Sequence, residues 1–215
     1  MRAVIFANGD VPNIQKVLPL LADDVYIVSA DGGLRYIRAL NLIPAMMIGD
    51  LDSVSAEGLQ FIKEHNVDTI KFPVDKDQTD LELAVQDLAD KGFQHIIVVG
   101  ALGGRLDQTL ANIGLISLFA GRNITVELDD GCEHVFLIRE KHVLFGKRGD
   151  IVSLIPVCAS AAGISTTGLK YPLVAEELLV YRTRGISNQM AEDTAEISIT
   201  SGSLLCIHSR KNEQG

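Results

Sequence analysis

What this 215-residue chain lacks narrows its function first. It has no surplus of positive charge: 19 Lys and Arg stand against 28 Asp and Glu, for a net charge of −9. Non-specific binding to nucleic acid or to an anionic membrane is therefore disfavoured. No apolar run approaches the ~20 residues that cross a bilayer. The opening MRAVIFANGD carries one basic residue and a very short apolar run before a turn, which reads as a first strand and not a signal peptide. Cysteine is scarce: Cys132, Cys158 and Cys206 are far apart and have no CxxC spacing. That usage predicts reduced thiols in a cytoplasmic protein, serving as small core hydrophobes. The five histidines form no HxxxH or Cys/His set, which counts against zinc. The P-loop pattern GxxxxGKS/T is missing, GxGxxG does not follow the first strand, and no GxSxG elbow occurs. These absences count against a P-loop enzyme, a dinucleotide dehydrogenase and a serine hydrolase. Repeats, low-complexity tracts and long linkers are absent too.

What is present is an ordinary soluble composition, 47% apolar and 22% charged. Up to about residue 125, short apolar runs alternate with helical periods. AVIFA, VYIVSA, MMIG, DTIKF and HIIVVG read as strands. Ile14, Val17, Leu18 and Leu21 recur at helical spacing, and further helices are predicted over LRYIRAL, 56–64, the segment after DKDQTD, and about 107–120. That alternation implies a parallel sheet with helices on its faces. Beyond it the rhythm changes to TVELD, HVFLIR, HVLF, DIVSLIPV, LLVYR, AEISIT and SLLCIHS, short strands separated by turns. The expected architecture is an α/β N-terminal domain over 1–127, with a mostly parallel Rossmann-like sheet, followed by an all-β sandwich over 128–215.

The polar clusters of the first half all follow strands. DGG (Asp31–Gly33), GDLDS (Gly49–Ser53), DKDQTD (Asp75–Asp80) and GALGGRLDQ (Gly100–Gln108) sit at strand-to-helix junctions. In a parallel sheet such junctions share one edge, where α/β folds bind ligands. Part of this is plain helix chemistry: Thr79 and Glu82 match a capping box. The rest is not. Two carboxylates ~4 Å apart repel by about 4 kcal/mol at an effective dielectric of 20, so gathered acids call for a cation. Carboxylate oxygens suit Mg²⁺, while a glycine-rich loop and the Arg105 fork suit phosphate. Acids, glycines and an arginine on one edge thus read as a Mg²⁺–nucleotide site.

The order DGG, GDLDS, DKDQTD, GGRLDQ, then TTGLKYPL (Thr166–Leu173) and SN (Ser187–Asn188), resembles the thiamine pyrophosphokinase family over nearly the whole chain. The resemblance implies a nucleotide-binding α/β domain followed by a β-sandwich. It implies transfer of the pyrophosphoryl group of ATP to the hydroxyl of thiamine, giving thiamine diphosphate and AMP. It also implies Mg²⁺ and a homodimer with sites at the subunit interface. Residue by residue, it assigns Mg²⁺ to Asp50, Asp52 and Asp80, and catalysis to these three with Asp77 and Arg105. It gives the nucleotide Asp31, Gly32, Lys76, Asp77, Thr79, Gly103, Gly104, Arg105, Asp107 and Gln108. Thiamine falls to Asp80, Gln108, Tyr171, Ser187 and Asn188; an aromatic face suits its cationic ring. Gly185 departs from members that carry Ser there, and Asp75 from those that carry Glu. Two other readings compete: Mg²⁺-dependent transfer to another hydroxylated heterocycle, and a sensor that binds nucleotide or thiamine without turnover.

Overall fold

The computed structural model describes residues 1–22, 24–49, 54–72 and 77–211. The chain divides into two compact units, Met1–Gly131 and Cys132–Gly215.

The first unit alternates strands and helices: β1 (Arg2–Phe6), β2 (Tyr26–Ala30), α1 (Leu34–Ala39), β3 (Met46–Ile48), α2 (Ala56–Glu64), β4 (Asp68–Ile70), α3 (Asp80–Asp90), β5 (His95–Val99), α4 (Leu106–Ala120) and β6 (Thr125–Asp129). The strands lie in the order β6-β5-β1-β2-β3-β4, and each neighbouring pair is parallel. β1 and β5 are central, and their unbroken apolar runs follow from burial on both faces: Ala3 to Phe6 and Ile96 to Val99 are all buried. Val4, Phe6, Ile97 and Val99 form one core cluster with Val17 and Ile37. α2 starts where expected, on Ser55, whose hydroxyl accepts from the Gly58 N–H. The helical spacing of Ile14 to Leu21 produces a tighter 3₁₀ segment instead of an α-helix. Pro19 sits inside it and cannot donate to an α-helical ladder.

The second unit is all β: β7 (Glu133–Ile138), β8 (Lys141–Phe145), β9 (Ile151–Pro156), β10 (Ala161–Thr167), β11 (Glu176–Leu178), β12 (Asn188–Gln189), β13 (Thr194–Ser198) and β14 (Leu204–Ser209). Its strands lie in the orders β12-β9-β14-β7 and β11-β10-β13-β8, with antiparallel neighbours. Alternation along β9 buries Val152, Leu154 and Pro156. Leu154 and Cys206 from one group of strands share a core with Ile164 and Ile197 from the other, which is the packing of a sandwich.

Three expectations change in this unit. The LLVYR run belongs to a strand only at Leu178; the Arg182 N–H then donates back to the Leu179 carbonyl, and Val180 and Tyr181 are exposed. β10, built from the small residues AAGISTT, carries too weak an apolar signal to be read in advance. Of the cysteines only Cys206 is a core residue, its thiol pushed up to about 12 by burial. Cys158 is exposed in a turn and Cys132 is half-buried.

A buried polar pair ties the β8–β9 turn to β14. Asp150 Oδ2 lies 2.8 Å from His208 Nε2 and accepts from the Lys147 N–H at 2.9 Å, while Oδ1 accepts from the Lys211 N–H at 2.9 Å. Burial pushes the Asp150 carboxyl up, but the Lys211 and Lys147 amides and His208 outweigh it and hold it below its ordinary range. For His208 burial wins over the carboxylate, and the imidazole is held low. Among the described residues no helix is long and apolar enough to cross a membrane.

Candidate functional site

The junctions at the carboxyl ends of the parallel strands enclose a cavity of about 490 Å³. It is lined by Ala7 to Asp10 after β1, Ala30 and Asp31 after β2, Thr79 to Leu81 at the start of α3, and Gly100, Ala101, Gly103, Gly104 and Arg105 after β5, with Gln108 and Asn112 from α4. Asp31, Thr79, Asp80, Gly103, Gly104, Arg105 and Gln108, all expected from the sequence, therefore meet. Asp77 and Asp107 do not line the cavity, and Gly32 lines a neighbouring hollow of about 160 Å³. Asp50, Asp52 and Lys76 lie outside the described residues.

Backbone crowding explains the DGG turn. A Cβ on Gly33 would overlap the Phe6 carbonyl, and one on Gly32 would overlap the Asn8 amide. Asp31 takes a left-handed conformation, φ 48°, which an acidic side chain tolerates better than most. Its Oδ1 lies directly against Gly49, the first residue of GDLDS. The ends of β2 and β3 thus bring Asp31 to the point where the next acidic cluster begins. At α3 the Thr79 hydroxyl accepts from the Glu82 N–H at 3.1 Å, capping the helix and leaving Asp80 in its first turn at the cavity wall.

The loops after β1 and β5 are bonded to each other: the Gly9 N–H donates to the Gly100 carbonyl, and the Ala7 N–H to Val99, both at 2.8 Å. Gly100 adopts φ 73°, and a Cβ there would lie 2.7 Å from the Ala7 carbonyl. From α1, Arg35 donates to Asn8 Oδ1 at 2.6 Å, to the Asn8 carbonyl at 2.9 Å and to the Gly9 carbonyl at 3.3 Å. Tyr36 donates its hydroxyl to the same Gly9 carbonyl at 2.7 Å. On the other side, the buried Asn112 amide donates to the Ala101 carbonyl at 2.9 Å, and the Thr109 hydroxyl to Gly103 at 3.1 Å. Arg105 makes a two-point pair with Asp107, at 3.1 and 2.5 Å. That hydrogen bonding, with the Gln108 N–H, holds the Asp107 carboxyl below its ordinary range and raises the guanidinium. Both side chains are well exposed, so a phosphate can compete for Arg105.

A second cavity, about 290 Å³, lies in the second unit and is lined by Leu154, Tyr171, Pro172, Leu173, Arg184, Gly185, Ile186 and Asn188. Asn188 grips the Tyr171 backbone at both ends: its Nδ2 donates to the Tyr171 carbonyl at 2.7 Å, and its Oδ1 accepts from the Tyr171 N–H at 3.0 Å. Tyr171 is 60% exposed, with the Lys170 ammonium 5.4 Å from its ring centre. Ser187, φ 58°, does not line the cavity; its N–H donates to the Ser153 hydroxyl. Arg184 pairs with Glu176.

The matching sequence models are the thiamin pyrophosphokinase catalytic domain, over residues 17–140, and the thiamin pyrophosphokinase vitamin B1 binding domain, over 133–204. The chain belongs to the thiamin pyrophosphokinase family. Bacillus subtilis thiamine pyrophosphokinase is 29% identical over 97% of this chain and 99% of its own. Oryza sativa thiamine pyrophosphokinase 3 is 31% identical over 74% of this chain and 63% of its own. The crystal structure of the Bacillus subtilis thiamine pyrophosphokinase superposes with a TM-score of 0.90 at 26% identity, covering 99% of this chain and 100% of that one. Yeast thiamin pyrophosphokinase, 18% identical, shares the fold with a TM-score of 0.79 over 97% of this chain and 86% of its own.

Against this thiamin pyrophosphokinase framework, the motif order located the second, fourth and fifth strand ends but passed over Asn8, Asp10, Asn112 and Arg184. The same junction rule applies to the turn after β1, which lacks a dense acidic or glycine cluster to draw attention. Asn112 sits one helical turn beyond Gln108, at i+4, so a face count along α4 finds it.

Proposed function

We propose that the chain transfers the pyrophosphoryl group of ATP to the hydroxyl of thiamine with Mg²⁺, giving thiamine diphosphate and AMP. One observation carries the reading: the family match runs through both units, and the first holds a carboxyl-end cavity combining acids, a glycine loop and an arginine. In this reading residues 1–127 are a Rossmann-like nucleotide domain and 128–215 a thiamine-binding and dimerisation sandwich. Two copies form a cytoplasmic dimer with active sites at the subunit interface.

The donor chemistry fits Mg²⁺. Asp31 and Asp80 present hard carboxylate oxygens to one cavity, and Asp31 abuts the residue preceding Asp50. Asp50, Asp52 and Asp80 would hold the ion, which when bound neutralises phosphate charge. The chain does the rest by positioning. The amides of Gly103 and Gly104, the Gln108 side chain and the α4 N-terminus face phosphate oxygens; Arg105 leaves Asp107 to stabilise charge on the group in transfer, with Thr79 lining the same cavity, and Lys76 is assigned to the nucleotide by the family resemblance alone. The thiamine hydroxyl attacks the β-phosphorus, the bond to the α-phosphate oxygen breaks, and AMP leaves. The thiamine hydroxyl gives up its proton to solvent as the new bond forms, and alignment and charge neutralisation carry the acceleration. Tyr171 offers its ring to the thiazolium, and Asn188 forms the polar end of that pocket, while Ser187 stands outside its lining.

Incubation with ATP, Mg²⁺ and thiamine tests this directly. AMP must form only when thiamine is present. ADP as the nucleotide product, or no turnover, overturns the reading.

A further inference from the structure

The geometry points to Arg35 as a positioning residue for the nucleotide, holding the Asn8–Asp10 turn in place as one wall of the larger cavity; this rests on the ATP reading above. Arg35 itself does not line that cavity. Its guanidinium is spent on the turn: three bonds reach Asn8 Oδ1 and the Asn8 and Gly9 carbonyls, and a fourth, at 2.9 Å, reaches the Tyr36 hydroxyl. Tyr36 in turn donates to Gly9. Two neighbouring side chains of α1 thereby satisfy carbonyls that no backbone N–H reaches among the described residues.

The turn is a shared support for two other junctions, those after β2 and β5. Its Asn8 amide packs against Gly32 of the DGG turn after β2. The Gly9 N–H holds the Gly100 carbonyl after β5. Asp10 faces the glycine loop: a Cβ on Gly103 would lie 3.6 Å from Asp10 Cβ and 3.8 Å from its Oδ2. Displacing the turn therefore shifts both Asp10 and the backbone amides that meet phosphate. A planar fork is required, because Nη1 holds Asn8 Oδ1 while Nη2 reaches the Asn8 and Gly9 carbonyls and the Tyr36 hydroxyl, four acceptors against the three N–H groups of one ammonium.

The test is calorimetric binding of α,β-methylene ATP with Mg²⁺, which cannot turn over. Arg35→Ala weakens binding about tenfold or more, and Arg35→Lys weakens it nearly as much although the charge is kept. Tyr36→Phe weakens it less, in the same direction. In the steady state the KM for ATP rises while that for thiamine stays within about twofold. Wild-type affinity in Arg35→Ala overturns the proposal, as does full rescue by Arg35→Lys, which would make Arg35 a simple charge. Should Arg35→Ala not fold, unchanged affinity in both Arg35→Lys and Tyr36→Phe overturns it. A wild-type chain that binds no analogue removes the ATP reading as well; a binding wild type with indifferent variants removes only this proposal.

Discussion

Residues at the entrance of α3 carry two separable jobs. Thr79 supplies the cap through its hydroxyl, and Asp80, the first helical residue, supplies charge to the cavity. Thr79→Ala should cost about 1 kcal/mol of stability, read as a shift in urea midpoint. Asp80→Asn keeps the cap and should leave that midpoint nearly unchanged, yet lower kcat about a hundredfold or more at saturating Mg²⁺. Full turnover in Asp80→Asn would remove it from the site. The cap was legible in the sequence because its partners are three residues apart. The cysteines were not: whether Cys158 or Cys206 is buried depends on which strands pack across it, and both stand in similarly apolar company.

Elements, in turn, meet where backbones approach too closely for side chains. A Cβ on Gly9 would overlap the Gly100 carbonyl, whereas one on Gly114, in the middle of α4, meets nothing within 4 Å. Gly9→Ala should therefore destabilise by about 1–3 kcal/mol and weaken nucleotide binding with it. Gly114→Ala should stabilise by up to about 1 kcal/mol through helix propensity alone. Urea titration of both variants checks the pair, and a harmless Gly9→Ala would mean the two loops are not locked. Strands such as AVIFA and HIIVVG could be read in advance because double-sided burial leaves an unbroken apolar run. β10 could not, since its small residues find partners only across the sheet. The Arg35 bonds were equally invisible: they join residues 26 and 27 positions apart through loop carbonyls, which have no sequence signature.

For the whole molecule, the Asp150–His208 pair links stability to pH. His208 is buried with its pKa held below the ordinary 6.5. Below pH 6.5 an unfolded chain binds a proton that the folded chain refuses, so stability falls as pH drops until folded His208 is itself protonated. Asp150 acts lower: the stability it adds above its ordinary 3.8 is lost as pH falls through its depressed pKa. Tm should fall between about pH 7 and 5, and His208→Gln, which keeps an N–H for Asp150, should flatten that limb. An unchanged slope would place the acid sensitivity elsewhere. At this scale the two-part plan and the convergence of the junctions were legible, because strand ends of a parallel sheet share an edge whatever the side chains. Which junction residues turn inward was not, as Asp107 shows by pairing with Arg105 beside the cavity instead of lining it.

The Tyr36 hydroxyl, fixed to the Gly9 carbonyl beneath the Arg35 guanidinium, gives the protein an optical handle. With no tryptophan in the chain, near-ultraviolet emission comes from four tyrosines alone. A phenol whose proton is shared with a carbonyl at the cavity wall reports the local hydrogen bond, so the difference in emission between wild type and Tyr36→Phe isolates a signal from the turn that lines the cavity, without an added dye.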